Sequence, residues 1–150
     1  MKKCSYQEAK KIIQPICKAA MDGEYDTREK FYDMLAANPD VAAQGYNAFG
    51  KIFFWNQAST RLYGRKESDA INQDLFDLVI PEDVRQLARD LIIVASKTGK
   101  TPEASSCDLI HNSGGFVTVF SGHLIFNWDG PATPEFYCID IGINPESAHP

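Results

Sequence analysis

The sequence predicts an α+β fold, one sheet with its helices gathered on one face. Three observations predict it. Strand-like segments come in two groups, two near residues 41–55 and three after residue 105, with only helix-like segments between them. The apolar period changes accordingly, from alternation to a spacing of three and four and back to alternation. Residues 116–128 carry apolar side chains on both faces, so the sheet needs cover on both sides.

The elements follow in order. Ser5 suits an N-cap, and Glu8 three residues later completes a capping box. Tyr6, Ala9, Ile13, Ile16 and Ala20 then form a helical stripe, widened by Ile12 and Cys17. Pro15 is expected to kink this helix or split it near Gln14. A second helix starts near Asp26 or Thr27, carries Phe31, Met34 and Leu35, and ends at Asn38-Pro39-Asp40. Residues 41–47 read as a first strand and 48–50 as a turn.

Lys51 to Gly64 is the strongest local signal. Ile52, Phe53, Phe54 and Trp55 form an apolar run of high β-propensity. Asn56 suits the N-cap of a short helix with Ala58, Leu62 and Tyr63 inward, and Gly64 suits its left-handed end. Residues 67–71 form another short helix closed by Asn72, and Asp74 caps a turn with Leu75, Phe76 and Leu78. Pro81, Glu82 and Asp83 open a longer helix ending at Thr98-Gly99. Its core stripe is read as Val84, Leu87, Ala88, Leu91 and Ala95, with Ile92, Ile93 and Val94 as a second apolar patch. Strands at 105–111, 116–128 and 135–143 follow. Val117, Val119, Ser121, His123 and Ile125 share one face of the long strand. Phe116, Phe120, Leu124, Phe126 and Trp128 share the other.

At 150 residues the chain is most simply one domain, with 44% hydrophobic and 23% charged residues. A net charge of −5 argues against a nucleic-acid partner, since phosphate binding needs clustered Lys and Arg. The lysines at 2, 3, 10, 11 and 18 are diluted by Glu8, Asp22 and Glu24 and read as a solvated helix face. No apolar run reaches a membrane span, and Met1-Lys2-Lys3 is followed by no apolar leader segment, so a cytoplasmic chain with no membrane partner is expected. Cys4, Cys17, Cys107 and Cys138 have no metal-ligand spacing, so no metal site is expected; Cys107 and Cys138 read as small buried hydrophobes. His111, His123 and His149 sit in no catalytic motif, and no P-loop is present. If the chain were a small cavity enzyme, His123 or Asp140 would be its base.

Four segments together resemble the PAS sensory domains: the strand ending in Trp55-Asn56 with its short helix and Gly64; Asp77-Leu78-Val79-Ile80-Pro81-Glu82-Asp83; Gly114-Gly115 before a long strand; and Cys138-Ile139-Asp140-Ile141, where Gly142 replaces the family's Thr. The resemblance implies a PAS-like five-stranded antiparallel sheet with short helices and one longer helix on one face. It divides the chain into an N-terminal helical extension at 1–37, serving dimerisation or signalling, a PAS domain at 38–143 and a tail at 144–150. It implies a sensory module that binds a small ligand or a partner and acts on an effector in the same pathway, not an enzyme. Whether the chain stands alone or belongs to a longer signalling protein stays open. A ligand-free dimerisation module is the alternative reading.

Carried over by position, the pocket would lie between the sheet and the middle helices. Phe53, Trp55, Ser59 and Tyr63 would line it, Leu91 would roof it, and Cys107, Ser121, His123 and Cys138 would floor it. Aromatic faces with His123 or Tyr63 would suit a planar or carboxylate-bearing ligand. Asp140 would link the core to a signal relay through the N-terminal helices or the C-terminal strand, and Gly142 in place of Thr favours the helices. Cysteinyl-flavin photochemistry is argued against because residues 72–78 hold no Cys. Haem held from the long helix is argued against because residues 82–98 hold no His. Noncovalent flavin stays open, and no ligand or cofactor is identified. The second sheet face is expected to be covered by N-terminal helices from this chain or from a partner. A symmetric homodimer through Ile12, Ile13 and Ile16 is the expectation, against a monomer whose own N-terminus folds back.

Overall fold

The computed structural model describes residues 3–147; Met1, Lys2 and residues 148–150, with His149 and the end of the 144–150 tail, lie outside the described residues. Helix α1 (Tyr6–Met21) opens with the expected reciprocal box, Glu8 N–H donating to Ser5 Oγ and Ser5 N–H to Glu8 Oε1. It runs unbroken through Pro15, where a split was a possible outcome. Pro15 removes the N–H that would bond the Lys11 carbonyl, but both residues are exposed. Water can serve that carbonyl, so the helix survives. Helix α2 (Arg28–Ala37) is capped by Thr27, whose Oγ1 accepts from Lys30 N–H.

Strands β1 (Ala42–Tyr46), β2 (Ile52–Trp55), β3 (Ser105–Ile110), β4 (Phe116–Phe126) and β5 (Glu135–Gly142) form one sheet in the order β2-β1-β5-β4-β3. Every neighbouring pair is antiparallel. Between β2 and β3 come α3 (Gln57–Tyr63), α4 (Glu67–Ala70), α5 (Leu75–Val79) and α6 (Glu82–Thr98).

The sheet separates two cores. On the side of α3 to α6, Trp55, Tyr63, Tyr46, Phe76, Phe136, Val117 and Val119 pack together. On the other, Ile13, Ile16, Phe31 and Leu35 from α1 and α2 pack on Phe120, Leu124, Tyr137 and Ile139. The alternation read for β4 therefore holds, with Ser121 and His123 on the side of the middle helices. The cover on the second face is the chain's own N-terminus.

That placement corrects the expected dimer contacts. Ile13 is fully buried and Ile16 is 7% exposed inside this chain's own core, leaving only Ile12 exposed. Gly122 permits it: a Cβ there would sit 2.6 Å from Cys17 Sγ and 2.9 Å from Ile13 Cγ2. Without a side chain at this position α1 lies directly on the β4 backbone.

The long helix is corrected as well. Val84, Leu87 and Leu91, read as core, are 44%, 61% and 41% exposed, while Ile92 and Ala95 are buried. Ala88 and Ala95 face the core as expected, so the buried face is displaced by only about 50° from the expected stripe. Arginines set this orientation. Arg85 donates to the Phe76 and Ile80 carbonyls at the end of α5. Arg89 donates to both Asp74 oxygens at 3.1 and 3.2 Å, with its guanidinium 4.8 Å from the Phe76 ring centroid. Charge-assisted bonds to free carbonyls and a bidentate carboxylate hold the N-terminal half of α6 where apolar packing was expected.

Candidate functional site

The site is built where β2 turns into α3. β1 and β2 pair Gln44 with Trp55 and Gly45 with Phe54, but Tyr46 with Ile52. Phe53 is therefore the extra residue of a β-bulge, and strict alternation fails there. Trp55 turns into the core of the middle helices at 1% exposure. Phe53 and Phe54 both lean on Tyr137, with ring centroids 5.8 and 6.0 Å away. Phe53 thus leaves the predicted pocket and stands 41% exposed at the opposite face. Leu91, also exposed, does not roof the pocket. Ile92 and Ala95 take that side.

Asn56 ties the turn together. Its Oδ1 accepts from the Ser59 and Ala43 N–H groups at 3.0 Å, and its Nδ2 donates to the Val41 carbonyl at 2.9 Å. Ser59 Oγ accepts from Gln44 Nε2 at 2.9 Å and lies 2.9 Å from both the Ala43 carbonyl and Asn56 Oδ1. Trp55 Nε1 donates to the Arg65 carbonyl at 3.1 Å. Ser59 and Trp55 are thus spoken for by the fold.

One turn on, Tyr63 Oη donates to Asp140 Oδ2 at 2.6 Å, both residues fully buried. Asp140 Oδ1 is buried with no hydrogen-bond partner. Ser121, opposite Asp140 across the β4–β5 ladder, and Gln44 lie close enough to favour the carboxylate, yet neither reaches Oδ1 in bonding geometry. Burial dominates and pushes the Asp140 carboxyl up to about 6, against the opposing pull of Ser121, Tyr63 and Gln44.

Beside Asp140, Cys138 Sγ lies 3.7 Å from His123 Nδ1 and 4.0 Å from Tyr46 Oη. Burial holds the His123 imidazole down at about 4. Burial likewise pushes the Cys107 thiol up to about 12 and the Cys138 thiol well above its usual range. At neutral pH His123 is uncharged and both sulfurs are thiols, so the cluster offers hydrogen bonding and soft apolar contact, not a nucleophile. Cys107, His123, Ile125 and Cys138 nevertheless keep partial accessibility while facing the layer between sheet and helices.

Of the predicted pocket residues, the structure thus brings Trp55, Ser59, Tyr63, Cys107, Ser121, His123 and Cys138 to one side of the sheet. Sequence reasoning missed Gln44 and Tyr46, and gave Asp140 a relay role or, in an enzyme, that of the base, but no part in lining the pocket. A Gln in an otherwise small and apolar strand was the available signal. His111 serves the β3–β4 turn: its N–H donates to the Gly115 carbonyl, and its Nδ1 accepts from Ser113 N–H. Among the described residues no helix is long and apolar enough to cross a membrane.

Residues 31–101 match the family model of the PAS fold. No curated protein sequence matches the chain. Several solved structures share its fold. The PAS domain of a Colwellia psychrerythraea protein is 22% identical with a TM-score of 0.60, covering 75% of this chain and 97% of that one. The PAS domain of Bordetella pertussis BvgS is 10% identical with a TM-score of 0.58, covering 80% and 89%. The PAS domain of the Cronobacter turicensis RpfR quorum-sensing receptor, solved in complex with C12:0, is 15% identical with a TM-score of 0.56, covering 70% and 95%. Family match, sheet order and motif positions agree, and the chain has a PAS-like α+β fold.

Proposed function

We propose that the chain is a PAS sensory module that takes a small ligand on the helix side of its sheet, beside His123 and Cys138 and against the Asp140–Tyr63 pair. PAS domains generally act as sensory or signalling modules rather than enzymes. One observation carries the reading: a fully buried carboxylate oxygen, Asp140 Oδ1, lacks a donor in the layer where His123, Cys138 and Cys107 remain partly accessible. Buried acceptors are ordinarily paired, so this one marks a place for an incoming N–H or O–H. The RpfR neighbour, which holds C12:0, supports small-molecule binding by this fold.

The ligand class shifts from the sequence expectation. A carboxylate-bearing molecule would face the buried Asp140, and like charges in a low-dielectric interior repel strongly. Trp55 is packed and bonded, so it offers no open face for stacking. A neutral molecule with a hydrogen-bond donor and an apolar body fits better. The relay would run to α1, because Gly122 carries that helix between the two pocket residues Ser121 and His123.

A ligand-free module is the second reading, favoured by Tyr46 stacking on Phe136 at 5.5 Å and Trp55 meeting Tyr63 at 5.8 Å inside the same layer. Native mass spectrometry of freshly purified protein, with an absorption spectrum on the same sample, decides between them. A mass excess lost on denaturation supports the sensor. A bare mass, together with no thermal shift across a library of small neutral donors, refutes it.

A further inference from the structure

Helix α6 carries two apolar stripes, and the fold uses one. Ala88, Ile92 and Ala95 face the core. Val84, Leu87, Leu91 and Val94, spaced three, four and three residues apart, stand 44%, 61%, 41% and 52% exposed. At 100° per residue they lie on a single flank centred roughly 90° from the buried face. Ile93, also exposed, lies off this stripe. The spacing is the a/d seam of a coiled coil, narrow and self-complementary.

We infer that this seam is the homodimer contact, two α6 helices packing antiparallel about a twofold axis level with Arg89. Antiparallel pairing sets Val84 against the second copy's Val94 and Leu87 against its Leu91. Charge selects the direction. The helix begins with exposed Glu82 and Asp83 and ends with exposed Lys97. Asp83 and Lys97 both flank the seam on its solvent edge, so antiparallel copies place each acid beside the other copy's lysine at both ends, and the helix dipoles oppose. Parallel copies would set Asp83 and Asp90 beside the other copy's Ala88 and Ala95, with no opposite charge to meet them. Asp90 meets its own copy near the axis, but Gln86 Nε2 already donates to it at 3.0 Å.

The area is sufficient. With about 170–200 Å² for a fully exposed Val or Leu, the four side chains offer about 370 Å² of apolar surface per copy. An interface with the usual apolar fraction of about 57–65% would then bury about 600 Å² per copy, or about 1,200 Å² in all, the lower bound for a specific contact. Phe116, 67% exposed, adds apolar surface beyond the start of α6, across the shallow concavity lined by Pro81, Glu82, Asp83 and Ile110. A second copy seated here leaves α1 and the pocket untouched.

Sedimentation across a concentration series tests the inference. The wild-type chain is expected to move from 16.7 kDa toward twice that mass as concentration rises. Leu87→Glu with Leu91→Glu should stay monomeric throughout, with an unchanged circular-dichroism spectrum. Asp83→Lys alone should weaken association about tenfold, and Asp83→Lys with Lys97→Asp should restore it. A wild-type chain that is monomeric at every concentration overturns the inference and assigns the seam to a different chain. A dimer unaffected by the paired glutamates overturns it as well. Failure of the double reversal to restore association rejects the antiparallel geometry, and this arm stands even if the glutamate variant fails to fold.

Discussion

Replacing Asp140 with Asn should stabilise the protein at neutral pH. The Asp140 carboxyl is raised from 3.8 to about 6 in the folded chain, chiefly by burial. The folded state therefore holds the proton more tightly than the unfolded state. The resulting stabilisation is complete below about pH 3.8 and is lost as pH rises through about 6. Two pKa units correspond to about 3 kcal/mol, the disadvantage of keeping this carboxylate charged in the interior at pH 7. Asparagine is neutral, keeps an acceptor for Tyr63 Oη, and offers an N–H toward Ser121. Part of the gain is lost to imperfect geometry, leaving about 1–3 kcal/mol at pH 7.5 and about zero at pH 4. Urea unfolding of both proteins at half-unit pH steps measures the difference, provided the m-values agree. The difference should grow between pH 4 and 6 and level off above it. A difference independent of pH would refute the reasoning, because a neutral substitution that merely repacks the site has no proton to release.

Tyr63→Phe removes the 2.6 Å donor to Asp140 Oδ2; it should cost about 1–3 kcal/mol and raise the Asp140 pKa further, read from the side-chain carboxyl shift in an NMR titration. Gly122→Ala places a Cβ 2.6 Å from Cys17 Sγ; it should destabilise by about 1–3 kcal/mol and speed amide exchange along α1 more than in β3. Ile13→Ala should cost about 2–5 kcal/mol in urea unfolding with no change in sedimentation, since Ile13 is buried against this chain's own sheet. A weakened dimer with unaltered stability would return Ile13 to an intermolecular role.

What was legible in the sequence was local or periodic. The caps at Ser5, Thr27, Asn56 and Asp74 form because each offers an oxygen to an orphan N–H a few residues on, a relation fixed within one helical turn. The alternation of β4 was legible because an eleven-residue strand repeats it several times, while its register stayed open until Gly122 and the N-terminal helices were seen to share one face. Phe53 was misplaced because β2 spans four residues, and one bulge exhausts its periodicity. The face of α6 was misread because two apolar stripes one residue apart compete. The choice between them was made by Arg85 and Arg89, whose partners lie on α5 and its N-cap. The cover of the second face was left open because Gly122, the residue that seats α1, gives no apolar signal at all.

The same glycine bears on how a bound ligand would be felt at the N-terminus. Along β4, Ser121 and His123 face the layer under the middle helices and Gly122 faces α1, so neighbouring residues of one strand serve opposite faces. The Cys17 thiol lies against the His123 backbone. At the far end of the sheet Cys4 bonds into it from both sides, its N–H to the Gly142 carbonyl at 3.3 Å and its carbonyl to Asn144 N–H at 3.0 Å. Gly142, where the family carries Thr, is also tight, since a Cβ there would sit 3.0 Å from Leu62 Cδ1. α1 is thus held near the pocket by a contact without slack and anchored at its start by strand-like bonds. On the proposed reading, a ligand that shifts His123 by a few tenths of an ångström cannot be absorbed at Gly122, because protein interiors do not compress. On that reading the displacement would appear as a tilt of α1 about its Cys4 anchor, and the signal would leave through the first helix rather than the last strand.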